Sequence, residues 1–166
     1  MTTADDNGRF PIHTALQNRA RLGAIKLLFE GNPAAVQAKD SKGIYPIHIA
    51  CQFCSLGVVK FLLEQLDDGC MEVCDNKDSL LHHACRSGNC AVVKFLLGSH
   101  AAAAASDKNG KGKVPLQLLC EYEYDEEETQ EEKCKGGNDA ERGEIEYAET
   151  IWMMLLATPD VVSSFA

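Results

Sequence analysis

Apolar positions along this chain come in short groups at helical spacing, and polar turns rich in Asp, Asn and Gly separate them. The turn Asp40-Ser41-Lys42-Gly43 leads into Ile44-Tyr45-Pro46-Ile47-His48-Ile49-Ala50-Cys51 and then into Val58-Val59-Lys60-Phe61-Leu62-Leu63. Nearly the same text occurs upstream, as Asp5 to Ala15 followed by Ala24-Ile25-Lys26-Leu27-Leu28. It recurs downstream as Asp75 to Cys85 followed by Val92 to Leu97, and more weakly as Asp107 to Cys120. His13, His48, His82 and Gln117 are successively 35, 34 and 35 residues apart. Each copy predicts a turn, a short helix opened by Pro where the amide hydrogen is dispensable, a second turn and a second helix. Two such helices cannot bury their apolar faces alone, so the copies must stack into an all-α solenoid with a linear core.

The motif and its period, close to the roughly 33 residues of ankyrin repeats, resemble the ankyrin-repeat family. The resemblance implies one ankyrin-repeat domain over 1–166, a solenoid of helix-turn-helix units joined by short hairpin-like turns. The repeats fall at about 5–38, 39–73, 74–105 and 106–160, the last interrupted by an acidic insertion at about 121–146. It also implies that the motif histidines tie neighbouring turns together through backbone hydrogen bonds. His83 and His100 stand outside the motif and carry no argument.

Departures from the repeat give further expectations. The first repeat holds one extra residue in the turn between its helices. Cys54 aligns with Gly88, where a left-handed backbone is favoured, so the second repeat either reshapes that turn or accepts strain. The alanine run 101–105 falls, by register, in a connecting segment despite its helical propensity. The fourth turn carries two extra residues within 111–113, and the second helix of that repeat begins near Thr150, with Ile151-Trp152 matching Val58-Val59.

Charge alters the picture at one place. The chain carries a formal −9, and the stretch 121–146, with twelve acidic residues against Lys133, Lys135 and Arg142, accounts for all of it. That stretch reads as a solvated, disordered loop without the ligand spacing of an EF-hand. Overall acidity and the lack of a basic, aromatic-interleaved stripe argue against nucleic acid. No apolar run approaches the ~20 residues of a membrane helix.

Eight cysteines need not be a disulfide framework. Cys51, Cys85 and Cys120 share one repeat position, three residues past the motif histidine or its Gln117 replacement, and read as small core residues in a reducing compartment, cytoplasmic or nuclear. The C-x-x-C at 51–54 lacks a second pair at zinc spacing, and neither a phosphate-binding loop nor a catalytic motif is present. The expectation is therefore no enzyme, no metal and no cofactor. The chain reads as a protein-interaction scaffold, a monomer or part of a longer array; the alternative is a regulatory fragment of a larger multidomain enzyme such as a kinase or ubiquitin ligase. By the family pattern the partner lies on a concave face of hairpin tips and first helices. The matching residues are Arg9, Gln17, Asn18, Lys42, Ile44, Gln52, Phe53, Lys77, Arg86, Lys108 and Lys111. Phe53 either anchors that partner or packs on the neighbouring repeat.

Overall fold

A computed structural model describes residues 3–66, 74, 77–99, 103–122 and 139–158. Four first helices, α1 (Pro11–Gln17), α3 (Pro46–Phe53), α5 (Leu80–Arg86) and α7 (Pro115–Glu121), stack in one layer. Four second helices, α2 (Leu22–Gly31), α4 (Leu56–Glu64), α6 (Cys90–Ser99) and α8 (Asp139–Ala157), stack in the other. Helices this short are marginal by themselves, and packing holds them. Ile12, Leu16, Ile47, Leu62, Leu81, Leu96, Leu119 and Met154 form one continuous buried core across all four repeats. Pro11, Pro46 and Pro115 open three of the first helices; α5, which begins at Leu80, is capped instead by Ser79, whose hydroxyl accepts the His82 N–H.

The four hairpins share one register. The N–H of Asp5, Asp40, Cys74 and Asn109 donates to the carbonyl four residues on. Asp5 and Asp40 also accept from the N–H groups two and four residues on through their carboxylates, and Asn109 does so through its amide oxygen. The fourth turn therefore begins at Asn109, with the same length as the others and no extra residues at 111–113. The sequence misled because Asp107, two residues earlier, imitates the turn's opening aspartate.

A left-handed residue sits four before each first helix's His-motif neighbour: Gly8, Gly43 and Gly112, and in the third hairpin Lys77 at φ 58°. Left-handed backbone costs a β-carbon about 1 kcal/mol. Lys77→Gly is accordingly expected to raise stability by up to about 1 kcal/mol in urea unfolding; a loss would show that the lysine is held there by contacts.

The turns between paired helices differ more. The extra residue of the first repeat does lie there, and Arg19 takes the left-handed position at φ 54° that Gly88 takes at φ 62° in the third. Cys54 does not: its φ is −108°, in extended backbone. The second repeat has reshaped the turn, and side chains from both neighbours hold it. The Cys54 thiol donates to the Leu16 carbonyl at 3.3 Å, and the Asn89 amide donates to the Cys54 and Cys51 carbonyls at 2.9 and 3.3 Å. Cys54→Gly therefore relieves nothing. Loss of a buried side chain and gain of backbone freedom are expected to cost about 1–2 kcal/mol in urea unfolding, and an unchanged midpoint would contradict this.

The fourth repeat holds the main departures. Residues Ala103–Ser106 of the alanine run form a 3-10 turn, as Pro33–Gln37 does after the first repeat, so register prevails over propensity among the residues described there. The helix expected near Thr150 begins instead at Asp139. Residues 139–146 are thus helical, not loop, while 123–138 lie outside the described residues. Acidic residues suit a helix N-terminus, and tertiary contacts hold the turns that follow it. The Tyr147 hydroxyl donates to the Leu119 carbonyl at the end of α7, and Lys94 of α6 pairs with Glu149 at 2.9 Å. The register also moves by one residue: Thr150 and Met154 are fully buried, while Trp152 is 64 % exposed at the place of Lys60.

Candidate partner-binding face

The first helices and hairpins form a polar lattice whose rungs tie each repeat to the next. In the third repeat Nδ1 of His82 accepts the Ser79 N–H at 3.1 Å, and the opposite ring nitrogen donates to the Lys113 carbonyl of the fourth hairpin at 3.0 Å. His13 accepts the Phe10 N–H at 3.2 Å. Gln117 reproduces this half of the pattern, its amide oxygen accepting the Val114 N–H at 3.0 Å. His13, His48 and His82 are all fully buried. Burial lowers the pKa of His13 and His82, against opposing pulls from Asp40 and backbone carbonyls on the first and from the Lys113 carbonyl and Asp78 on the second. The neutral His82 ring ties the third repeat to the fourth, and the neutral His13 ring braces the start of its own helix.

Hairpins also touch one another directly. Ser41 N–H donates to the Asn7 carbonyl at 2.9 Å, and the Asn109 amide donates to Asp78 at 2.8 Å. In the first, third and fourth repeats, the last hairpin residue pairs with the helix position four beyond the motif histidine or its Gln117 replacement. Arg9 donates to Gln17 at 2.9 Å, Arg86 to Asp78 at 2.8 Å and Lys113 to Glu121 at 2.6 Å. The polarity of the pair reverses in the third repeat. Arg9 also approaches Asp40 at 3.4 Å.

These pairs sort the sequence-predicted residues. Arg9, Gln17 and Arg86 are joined to other parts of the same chain, so a partner would have to compete for them. Gln52 is half-buried with its amide oxygen 3.5 Å from His83 Nδ1, and Ile44 and Phe53 are half-buried against the core. Phe53 thus packs on its neighbours. Asn18, Lys42, Lys77, Lys108 and Lys111 are exposed, and the four lysines lie in or beside the hairpin tips of three successive repeats. Sequence reading missed a second exposed feature: Ile145, Trp152 and Leu156, at 59, 64 and 67 % exposure, share one face of α8. Their spacing of seven and four is visible in the sequence, but the match of Ile151-Trp152 to the buried Val58-Val59 points Trp152 into the core, one residue out of register.

The cysteines of the C-x-x-C are buried, and burial pushes Cys51 far up and Cys54 up to about 11. Burial also raises Cys85. Such thiols stay protonated, which makes them poor nucleophiles.

The repeat geometry agrees with comparison to known proteins: the family profile "Ankyrin repeats (3 copies)" matches residues 12–111. The chain belongs to the ankyrin-repeat family. Ankyrin repeats are in general protein-interaction modules. The chain is also similar to human Rabankyrin-5, 27 % identical over 119 residues, which is 71 % of this chain and 10 % of that protein. It therefore spans about a tenth of that relative's length. Among the described residues no helix is long and apolar enough to cross a membrane.

Proposed function

We propose that this ankyrin stack is a non-catalytic scaffold that holds a protein partner against its hairpin tips and first helices, and that the partner presents carboxylates. The observation that carries this is the row of exposed lysines, Lys42, Lys77, Lys108 and Lys111, on hairpins locked in register by hydrogen bonds between repeats. A rigid base holds these charges without ordering cost, and complementary charge directs encounter and orientation. Asn18 extends the row toward the first helices. The half-buried Phe53 contributes shape below it.

Capture of partners by the intact chain is expected to weaken strongly between about 0.05 and 1 M salt, where the screening length falls from above 10 Å to about 3 Å. Salt-insensitive capture would contradict a charge-led interface. A second reading is suggested by the length of Rabankyrin-5, of which the 119 matched residues are 10 %: the stack as one part of a longer protein, and on this reading the regulatory part of a multidomain enzyme such as a kinase or ubiquitin ligase. On either reading the stack acts as a monomeric unit, in the cytoplasm or nucleus, without a cofactor for binding.

A further inference from the structure

Three residues of the third repeat depart from the repeat pattern, and the fold brings them to one place. Cys74 stands where the other hairpins have Asp5, Asp40 and Asn109; Asp78 stands where they have Arg9, Ile44 and Lys113. His83 stands where the other first helices have Thr14, Ile49 and Leu118. Stacking demands none of the three, since the other repeats stack without them. All three are buried, at 2, 5 and 5 % exposure, and their donor atoms lie within 4.8 Å of one another. We propose that Cys74, Asp78 and His83 form a site for a single zinc-class divalent cation.

The geometry fits that chemistry. Cys74 Sγ and His83 Nε2 are 3.8 Å apart, close to the roughly 3.5 Å that separates sulfur and nitrogen ligands on one tetrahedral zinc. A thiolate, an imidazole and a carboxylate form a mixed sulfur, nitrogen and oxygen set that zinc accepts, and the two anions neutralise its charge. Metal entry displaces the thiol proton to solvent, and no other bond changes. A water completes four-coordination.

Surrounding groups already orient the ligands. The Gln52 amide oxygen lies 3.5 Å from His83 Nδ1 and can only accept, which makes Nδ1 the protonated nitrogen and turns the Nε2 lone pair toward Cys74. Asp78 is fixed by Arg86 on one oxygen and Asn109 on the other, both at 2.8 Å, and each oxygen keeps a second lone pair. The Arg86 charge opposes a cation, and two anionic ligands outweigh it. Because Gln52 belongs to α3, Cys74 and Asp78 to the third hairpin and Asn109 to the fourth, a bound ion would fasten three successive repeats.

The test uses the full chain, reduced and freed of metal by a chelator, and titrated with cobalt(II) as the spectroscopic probe for zinc. The expected result is one equivalent bound, with visible absorption of a tetrahedral ion and a near-ultraviolet thiolate-to-cobalt band. Added zinc should also raise the melting temperature. Cys74→Asn installs the residue that Asn109 supplies in the fourth hairpin, so it is expected to fold at least as well as the native chain while losing the thiolate band and the zinc-dependent rise in melting. His83→Leu installs the Leu118 counterpart and is expected to lose the site too. Gln52→Ala, acting through His83, should weaken binding roughly 10- to 100-fold. A native chain without a thiolate band overturns the proposal. So does a folded Cys74→Asn chain that keeps it, since the thiolate would then come from another cysteine.

Discussion

Met154→Ala is expected to destabilise the protein by about 2–5 kcal/mol, the range for truncating a fully buried long side chain that leaves a cavity. Met154 has no exposed surface and lies between Thr150, one turn before it on the buried face of α8, and Thr158, one turn after it just past the helix end. Both threonines send their hydroxyls back to carbonyls four residues earlier, at Glu146 and Met154, so this face holds no unsatisfied hydroxyl that could stabilise a water in the void. The loss should appear in urea unfolding, and hydrogen exchange should locate it first in α7 and α8, because in a stacked array each layer is held by its nearest neighbours. A loss below about 1 kcal/mol would mean that α8 does not supply the fourth repeat's outer layer.

Acidification is expected to destabilise the metal-free protein well before its carboxylates titrate. Burial, helped by the neighbouring His48, lowers the pKa of His83 from 6.5 to about 3, although Asp78 pulls it upward. The unfolded chain takes up this proton near 6.5 and the folded chain does not until near 3. Stability from this group is therefore complete above the first value and erodes as pH falls toward the second. At about pH 5 the loss from His83 alone is about 2 kcal/mol. His13 and His82 are shifted in the same direction, so they add to it. Asp78 acts lower down: burial pushes its pKa up, but hydrogen bonds from Arg86 and Asn109 outweigh burial and lower it from 3.8, so its contribution goes only at still lower pH. Urea midpoints measured from about pH 7.5 to 4.5 check this, and a flat profile would mean that the buried rings gain partners on protonation.

The repeat architecture was legible because it is written at a fixed period. Pro11, Pro46 and Pro115, the histidines and the paired valines each mark the same structural place. What was not legible turned on pairings between copies. Asp107 resembled a turn opener, but only the hydrogen bonds of Asn109 show which residue opens the turn. Cys54 looked strained by alignment with Gly88, yet the Leu16 carbonyl and the Asn89 side chain make another backbone path favourable. Residues 139–146 look like loop by the charge density of the whole acidic stretch, yet they continue a helix that Tyr147 and Glu149 anchor to Leu119 and Lys94.

The candidate face was half legible. Family register placed Lys42, Lys77, Lys108 and Lys111 on the hairpin side, and they are exposed there. It could not show that Arg9 and Arg86 are joined to Gln17 and Asp78, because such pairs depend on side-chain reach across a turn. Nor did it flag His83, which looked solitary in the sequence and meets Cys74 and Asp78 only in the fold.

The most direct test of the account is partner capture with the chain carrying Lys42→Glu, Lys77→Glu, Lys108→Glu and Lys111→Glu, beside a chain carrying Glu30→Lys and Glu64→Lys on the outer helices. All six positions are exposed, so the melting temperatures of both variants should stay within a few degrees of the native one. The account predicts that the lysine-reversed chain loses the proteins that the native chain retains, and that the outer-helix variant keeps them. Retention of the same proteins by the lysine-reversed, folded chain would contradict it.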